Sequence, residues 1–212
     1  YGTTGPRMLL WFDLLNPPGA SRGQTLPMGG EVEMDAPPIF QARAVGSFEQ
    51  LPGCPDHATQ ALAPERLAHV CKNECYHPGE TRRAIARIEV VRIRPQRAPG
   101  EDVAQLVDDP WKSFACEPDP AGCTVTFSDE DYLASGRDTV YYVRAFEPPA
   151  PGVNAGNVRC ERDAEGNCAR ARLCPSPDGS DPDCLSEHEP RAWSSPVYVD
   201  HPAARAVAAA AR

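Results

Sequence analysis

Cys54, His57, Cys71 and Cys75 carry the ligand spacing in this chain that comes nearest to a metal site, Cys-x2-His followed by Cys-x3-Cys, with His77 close behind. Three thiolates and one imidazole at that spacing could close a tetrahedral zinc centre. The spacer holds no compact knuckle, however, and zinc thiolates and disulfides seldom share a compartment. The favoured reading is therefore a disulfide among Cys54, Cys71 and Cys75, with Cys71 and Cys75 as candidates and the two histidines solvated. Asp163, Glu165, Asp178, Asp181 and Asp183 lie between later cysteines, and carboxylates on tight loops hold calcium outside cells. No EF-hand spacing is present, and a solvated acidic loop is the plainer reading. Near the start, Thr4 and Arg7 place a hydroxyl and a guanidinium where they could touch an anion or substrate; the alternative is a turn into the first strand. His57, His69, His77, His188 and His201 are scattered, none in a nucleophile turn, and no Gly-rich phosphate loop precedes a helix.

The cysteines say more through their number. Nine in 212 residues imply metal binding in a reducing cytosol and disulfides in an oxidising compartment. Cys116 with Cys123, Cys160 with Cys168 and Cys174 with Cys184 are near neighbours in polar loops, which need covalent closure to stay ordered; each bridge contributes about 2–4 kcal/mol. The odd count leaves one cysteine free or paired outside the chain.

The elements that must position these groups read as short strands. Thr139–Phe146 and Arg191–Asp200 are aromatic and β-branched, bounded by turn formers. In the first, Tyr141, Val143 and Ala145 share a face, and the Ser194-Ser195-Pro196 step in the second suits the start of an edge strand. Met8–Leu15, Pro38–Val45 and Ala86–Ile93 add three more strands. Trp111–Cys116 and Thr124–Phe127 read as a hairpin clamped by Cys116 and Cys123. Helical signals are confined to Pro64–Cys71, with proline at the first position, and to a turn after Ser128. With 24 prolines and 16 glycines the chain favours loops and short strands over long helices. The fold class is mainly β: an immunoglobulin/fibronectin-like β-sandwich with long disulfide-stapled loop insertions and one or two short helices.

Composition bounds the partners. A net charge of −9 argues against nucleic acid, which needs a basic surface, and no apolar run is long enough to span a membrane. Tyr1–Arg7 reads like the middle of a motif, so the chain is expected to be part of a longer protein.

Several pieces form a recognisable set. Tyr1–Arg7 (YGTTGPR), Cys75–Glu80 (CYHPGE), Ile88–Pro95 (IEVVRIRP), Tyr141–Ala145 (YYVRA), Val153-Asn154 and Ala192–Pro196 (AWSSP) together resemble the C-terminal part of the bacterial domain-of-unknown-function 3604 family. That family is related to PHP-type (polymerase and histidinol phosphatase) metal-dependent hydrolases. The resemblance implies a parent enzyme whose distorted barrel holds two or three divalent metals on His and Asp/Glu ligands, activating water against a phosphoester or similar bond. Those ligands would lie upstream of Tyr1, so no catalytic residue, metal or cofactor is expected within this chain. Residues 1–7 would end the upstream domain and residues 8–201 would form the sandwich, with insertions at 46–84 and 147–190. Residues 202–212 would be a disordered tail. The resemblance also implies export to the periplasm or exterior, with a lipid anchor at an upstream N-terminus as one form, and the upstream hydrolase domain as the partner. From the residues alone, a stand-alone extracellular fibronectin-like binding module is the alternative.

Overall fold

The computed structural model describes residues 1–72, 74–153, 159–172 and 185–204. In chain order the strands begin with β1 (Gly2–Thr3), β2 (Leu9–Leu14), β3 (Leu26–Pro27), β4 (Glu31–Glu33), β5 (Ile39–Val45) and β6 (Phe48–Gln50). They continue with β7 (Pro78–Arg82), β8 (Arg87–Ile93), β9 (Val107–Ala115), β10 (Cys123–Ser128), β11 (Thr139–Phe146) and β12 (Ala150–Val153). The last are β13 (Arg159–Arg162), β14 (Cys168–Arg172), β15 (Leu185–His188), β16 (Arg191–Trp193) and β17 (Val197–Asp200). The helices are α1 (Asp56–Ala61), α2 (Pro64–Cys71) and α3 (Tyr132–Ser135), with a 3-10 turn at Val103–Gln105, so the helical pieces exceed the one or two expected. All are short.

Two sheets face each other. The larger has seven strands built around β11, and the smaller runs β10-β5-β2-β3. Alternation fixes the faces, because successive side chains in a strand point to opposite sides. From the smaller sheet Leu10, Phe12, Leu14, Phe40, Ala42 and Ala44 point inward; from the larger, Ile88, Val90, Tyr141, Val143, Ala145, Val197 and Val199 do. Phe40 is fully buried, with its ring 5.2 Å from Phe12, 5.5 Å from Phe127 and 4.7 Å from Tyr141. Burial of side chains of this kind stabilises by about 1.5–3 kcal/mol each. The chain is a β-sandwich with disulfide-stapled loops.

β11 is flanked on one edge by β8, antiparallel from Val140↔Ile93 to Phe146↔Arg87. Its other edge is shared end to end by β16 and β17. The Ser194–Pro196 step is therefore a break between two collinear segments rather than the start of an edge strand: β1 covers β16 and β4 covers β17. The step keeps the ladder complete, because the Val143 N–H donates to Ser194 Oγ and Ser194 N–H donates to the Val143 carbonyl, both at 3.0 Å.

The expected Trp111–Cys116/Thr124–Phe127 hairpin does not form. β9 pairs with β8 in the larger sheet, whereas β10 pairs with β5 in the smaller one. The chain changes sheets between them, and the Cys116–Cys123 disulfide spans that corner with a Cα–Cα distance of 5.9 Å. Gly122 sits at φ 102°, and a Cβ there would meet the Ala44 carbonyl oxygen at 2.2 Å, so glycine is required.

Among the described residues of 46–84 and 147–190, the strands form two-stranded ribbons separate from the two large sheets. The first contains α1, α2 and the β6–β7 ribbon; the second contains the β12–β15 and β13–β14 ribbons. Of the proposed tail, Ala203 and Ala204 still donate hydrogen bonds to His201, and positions 205–212 lie outside the described residues. Among the described residues no helix is long and apolar enough to cross a membrane.

Candidate functional site

The sulfur cluster forms because two helices bring its members together. α2 starts at Pro64, anchors itself through buried Leu67, and delivers Cys71 one turn later. Lys72 then stops it in the left-handed conformation at φ 48°, turning the chain back toward Cys75. Cys54 and Cys75 are bridged, with Cα atoms 4.7 Å apart. Cys71 remains a thiol, which corrects its expected place in a bridge: Cys54 occupies that place instead. The Cys71 Sγ lies 3.0 Å from Cys75 Sγ, 3.8 Å from Cys54 Sγ and 3.3 Å from the Leu67 carbonyl. The three cysteines group as potential donors without a histidine. His57 is exposed on α1, and His77 Nδ1 faces the Pro52 carbonyl at 3.2 Å. A zinc centre needs its cysteines as thiolates; with Cys54 and Cys75 bridged, this cluster offers one.

The remaining sulfurs are placed as follows. Cys116 pairs with Cys123 and Cys160 with Cys168. Cys174 and Cys184, together with Asp178, Asp181 and Asp183, lie outside the described residues. Of the acidic group considered for calcium, Asp163 closes the β13–β14 turn: its Oδ1 accepts from Glu165 N–H at 3.1 Å and Asn167 N–H at 2.8 Å. Glu165 is exposed on that turn.

Thr4 and Arg7, paired as an anion contact from the sequence, have separate fates. Thr4 is committed to the sheet: its N–H donates to the Arg191 carbonyl at 3.0 Å, and its Oγ1 accepts from Arg191 N–H at 3.0 Å. Arg7 is exposed and lies over the Tyr76 ring, 4.2 Å from its centroid, an arrangement that holds a cation without neutralising it.

Arg7 borders a cavity of about 280 Å³. Three separate parts of the chain wall it: the segment after β1 (Gly5, Pro6, Arg7), the ribbon of the first excursion (Ser47, Phe48, Gln50, Tyr76, Arg83), and the second excursion (Ala150, Pro151, His188, Pro190). The two excursions, 67 or more positions apart in sequence, meet here. Gly46 makes the closure feasible, since a Cβ there would lie 1.9 Å from the Arg83 carbonyl oxygen; the Arg83 N–H donates to the Ser47 carbonyl at 2.8 Å. Arg82, next in line, stacks 3.9 Å from the Phe48 ring centroid and donates to the Gly46 carbonyl at 2.7 Å. His188 Nδ1 is 3.0 Å from the Ala150 carbonyl. A carbonyl only accepts, so Nδ1 carries the hydrogen and Nε2 is the ring's other polar atom.

Behind Ser47 lies Glu147, fully buried, whose Oε1 accepts from the Ser47 N–H at 2.6 Å. Sequence reasoning found Arg7 but missed Arg83, His188 and Glu147. Their only signal was charge or polarity at the ends of strands, which does not reveal a partner a hundred residues away.

Against known proteins, no family model, curated protein or solved structure matches this chain.

Proposed function

We propose that this chain is the non-catalytic C-terminal accessory region of an exported PHP-like metal-dependent hydrolase, phosphoesterase-like in chemistry. The ordered set of motifs from Tyr1 to Pro196 supports the relationship. Three disulfides among the described residues favour an oxidising compartment, hence the periplasm or exterior. The observation that carries the accessory reading is how the chain uses its donors. Among the described residues the single potential metal-ligand cluster is the three cysteines. Several carboxylates are engaged in structural pairs, such as Asp129 with Arg92 and Glu189 with Arg87. The divalent metals and the water they activate belong to the upstream domain, against which this sandwich packs as a brace.

The test is a metal-dependent phosphoesterase assay of the 212-residue chain beside the longer parent protein. Turnover in the parent and none in this chain supports the reading, and robust turnover in this chain overturns it. The second reading, an extracellular binding module, is favoured by one feature: the cavity where both excursions and the first segment meet, since loops on a rigid scaffold commonly carry binding.

A further inference from the structure

We infer that the cavity bounded by Arg7, Arg83 and His188 is a binding site for a small organic anion, one phosphate or carboxylate head on an apolar body.

Charge is the first support. The chain carries a net charge of −9, yet no aspartate or glutamate lines this cavity, Glu147 lying buried behind Ser47, while two arginines and a histidine do. Among the described residues neither Arg7 nor Arg83 forms an ion pair. This contrasts with Arg87, Arg92, Arg137 and Arg144, which all meet carboxylates. An unneutralised guanidinium presents its fork of donors to a phosphate or carboxylate, which it binds more strongly than a neutral acceptor.

Shape is the second. The Arg7 guanidinium is held by the Tyr76 ring instead of by a carboxylate. Pro6, Phe48, Pro151 and Pro190 supply an apolar part of the lining, beside the polar Ser47 and Gln50. A cavity of about 280 Å³ with a few polar groups on a partly apolar lining is the usual form of a small-molecule site. Its volume admits a single ring with one charged substituent. Construction is the third: the Cys54–Cys75 bridge precedes Tyr76 directly, and the Leu51 N–H donates to the His77 carbonyl at 2.7 Å. The Tyr76 wall is thereby covalently and locally fixed, which lowers the ordering cost of binding.

The site is independent of the accessory reading, because it is formed wholly by this chain. The experiment is calorimetric titration of the 212-residue chain with phenyl phosphate, benzoate, inorganic phosphate and the neutral benzyl alcohol. Phenyl phosphate or benzoate should bind with a dissociation constant of about millimolar or tighter, inorganic phosphate more weakly, and affinity should fall with added salt. The tighter of the two aromatic anions identifies the head group. Arg83→Gln and Arg7→Gln should each weaken binding about tenfold. Arg7 is exposed, so its variant keeps the test valid even if the Arg83 change disturbs folding. No binding by either aromatic anion, benzyl alcohol binding as tightly as they do, or unchanged affinity in folded Arg7→Gln would overturn the assignment.

Discussion

Arg92 and Asp129 join the two sheets through the interior. Arg92, on β8 of the larger sheet, donates from Nη1 to both carboxylate oxygens of Asp129, at 3.0 and 2.9 Å. Asp129 follows β10 of the smaller sheet, and its side chain is almost wholly shielded. Tyr141, on the central strand, donates its hydroxyl to the same carboxylate at 2.7 Å, and Asp108 takes the Arg92 Nε at 2.9 Å. The pair is thus a fully bonded network, the condition under which a buried charge is tolerated.

Removing Asp129 leaves the buried Tyr141 hydroxyl and the Arg92 Nη1 without their acceptor, although Asp108 still bonds Arg92. Asp129→Ala should destabilise the fold by about 3–5 kcal/mol, and Asp129→Asn by less, because an amide oxygen still accepts from Tyr141. Urea unfolding of the three proteins checks this. A loss below about 1 kcal/mol in the alanine variant would mean the pair merely coexists with the core.

Acid and alkali act through different groups. Arg137, by its side-chain hydrogen bond, and then Arg97 through its backbone hold the Glu101 carboxyl down at about 2, against an ordinary 4.5. A depressed carboxyl contributes stability that is present above 4.5 and lost as pH falls toward 2. Glu189 moves in the same direction, through Arg87. At the other end, burial first and Asp129 second push the Tyr141 hydroxyl well above its ordinary 10; burial and then Asp138 do the same for Tyr132. A raised phenol contributes stability present below pH 10 and lost as pH rises beyond it. Melting temperature should therefore be flat between these limits and fall on both sides. Tyrosinate absorbance should show Tyr132 and Tyr141 ionising only with unfolding; their ionising in the folded protein, with the freely accessible tyrosines, would contradict the burial argument.

Much of this architecture is legible from alternation. Leu10, Phe12 and Leu14, or Tyr141, Val143 and Ala145, declare their inward face because burial on one side of a strand forces a period of two. Alternation does not name the neighbouring strand, however. Trp111–Cys116 and Thr124–Phe127 look like a hairpin because Cys116 and Cys123 are close in sequence; the same closeness fits a corner at which the chain changes sheets. Pro196 reads as an edge signal for its missing N–H, although a break midway along β11 satisfies that lack equally well. Within the candidate site, Arg7 is visible from its turn. Arg83 and His188 are not, because only the folded excursions bring them together, and Thr4 looks free until Arg191 arrives as its partner from 187 positions away.

The corner at Cys116–Cys123 closes a loop of about eight residues, for which chain entropy gives about 2.5 kcal/mol. Replacing both cysteines by serine should cost about that much in urea unfolding. It should also leave β9 and β10 in place, because each is held by its own sheet neighbour. A cost near zero would show that the corner is already fixed by packing.

The account rests on covalent bridges that close each excursion on itself and clamp the corner between the two sheets, and the most direct measurement is peptide mapping by mass spectrometry after alkylation of the unreduced, denatured protein. The predicted map has Cys54 joined to Cys75, Cys116 to Cys123 and Cys160 to Cys168, with the alkyl label on Cys71. Protein purified from an oxidising compartment that carries the label on all nine cysteines would contradict it.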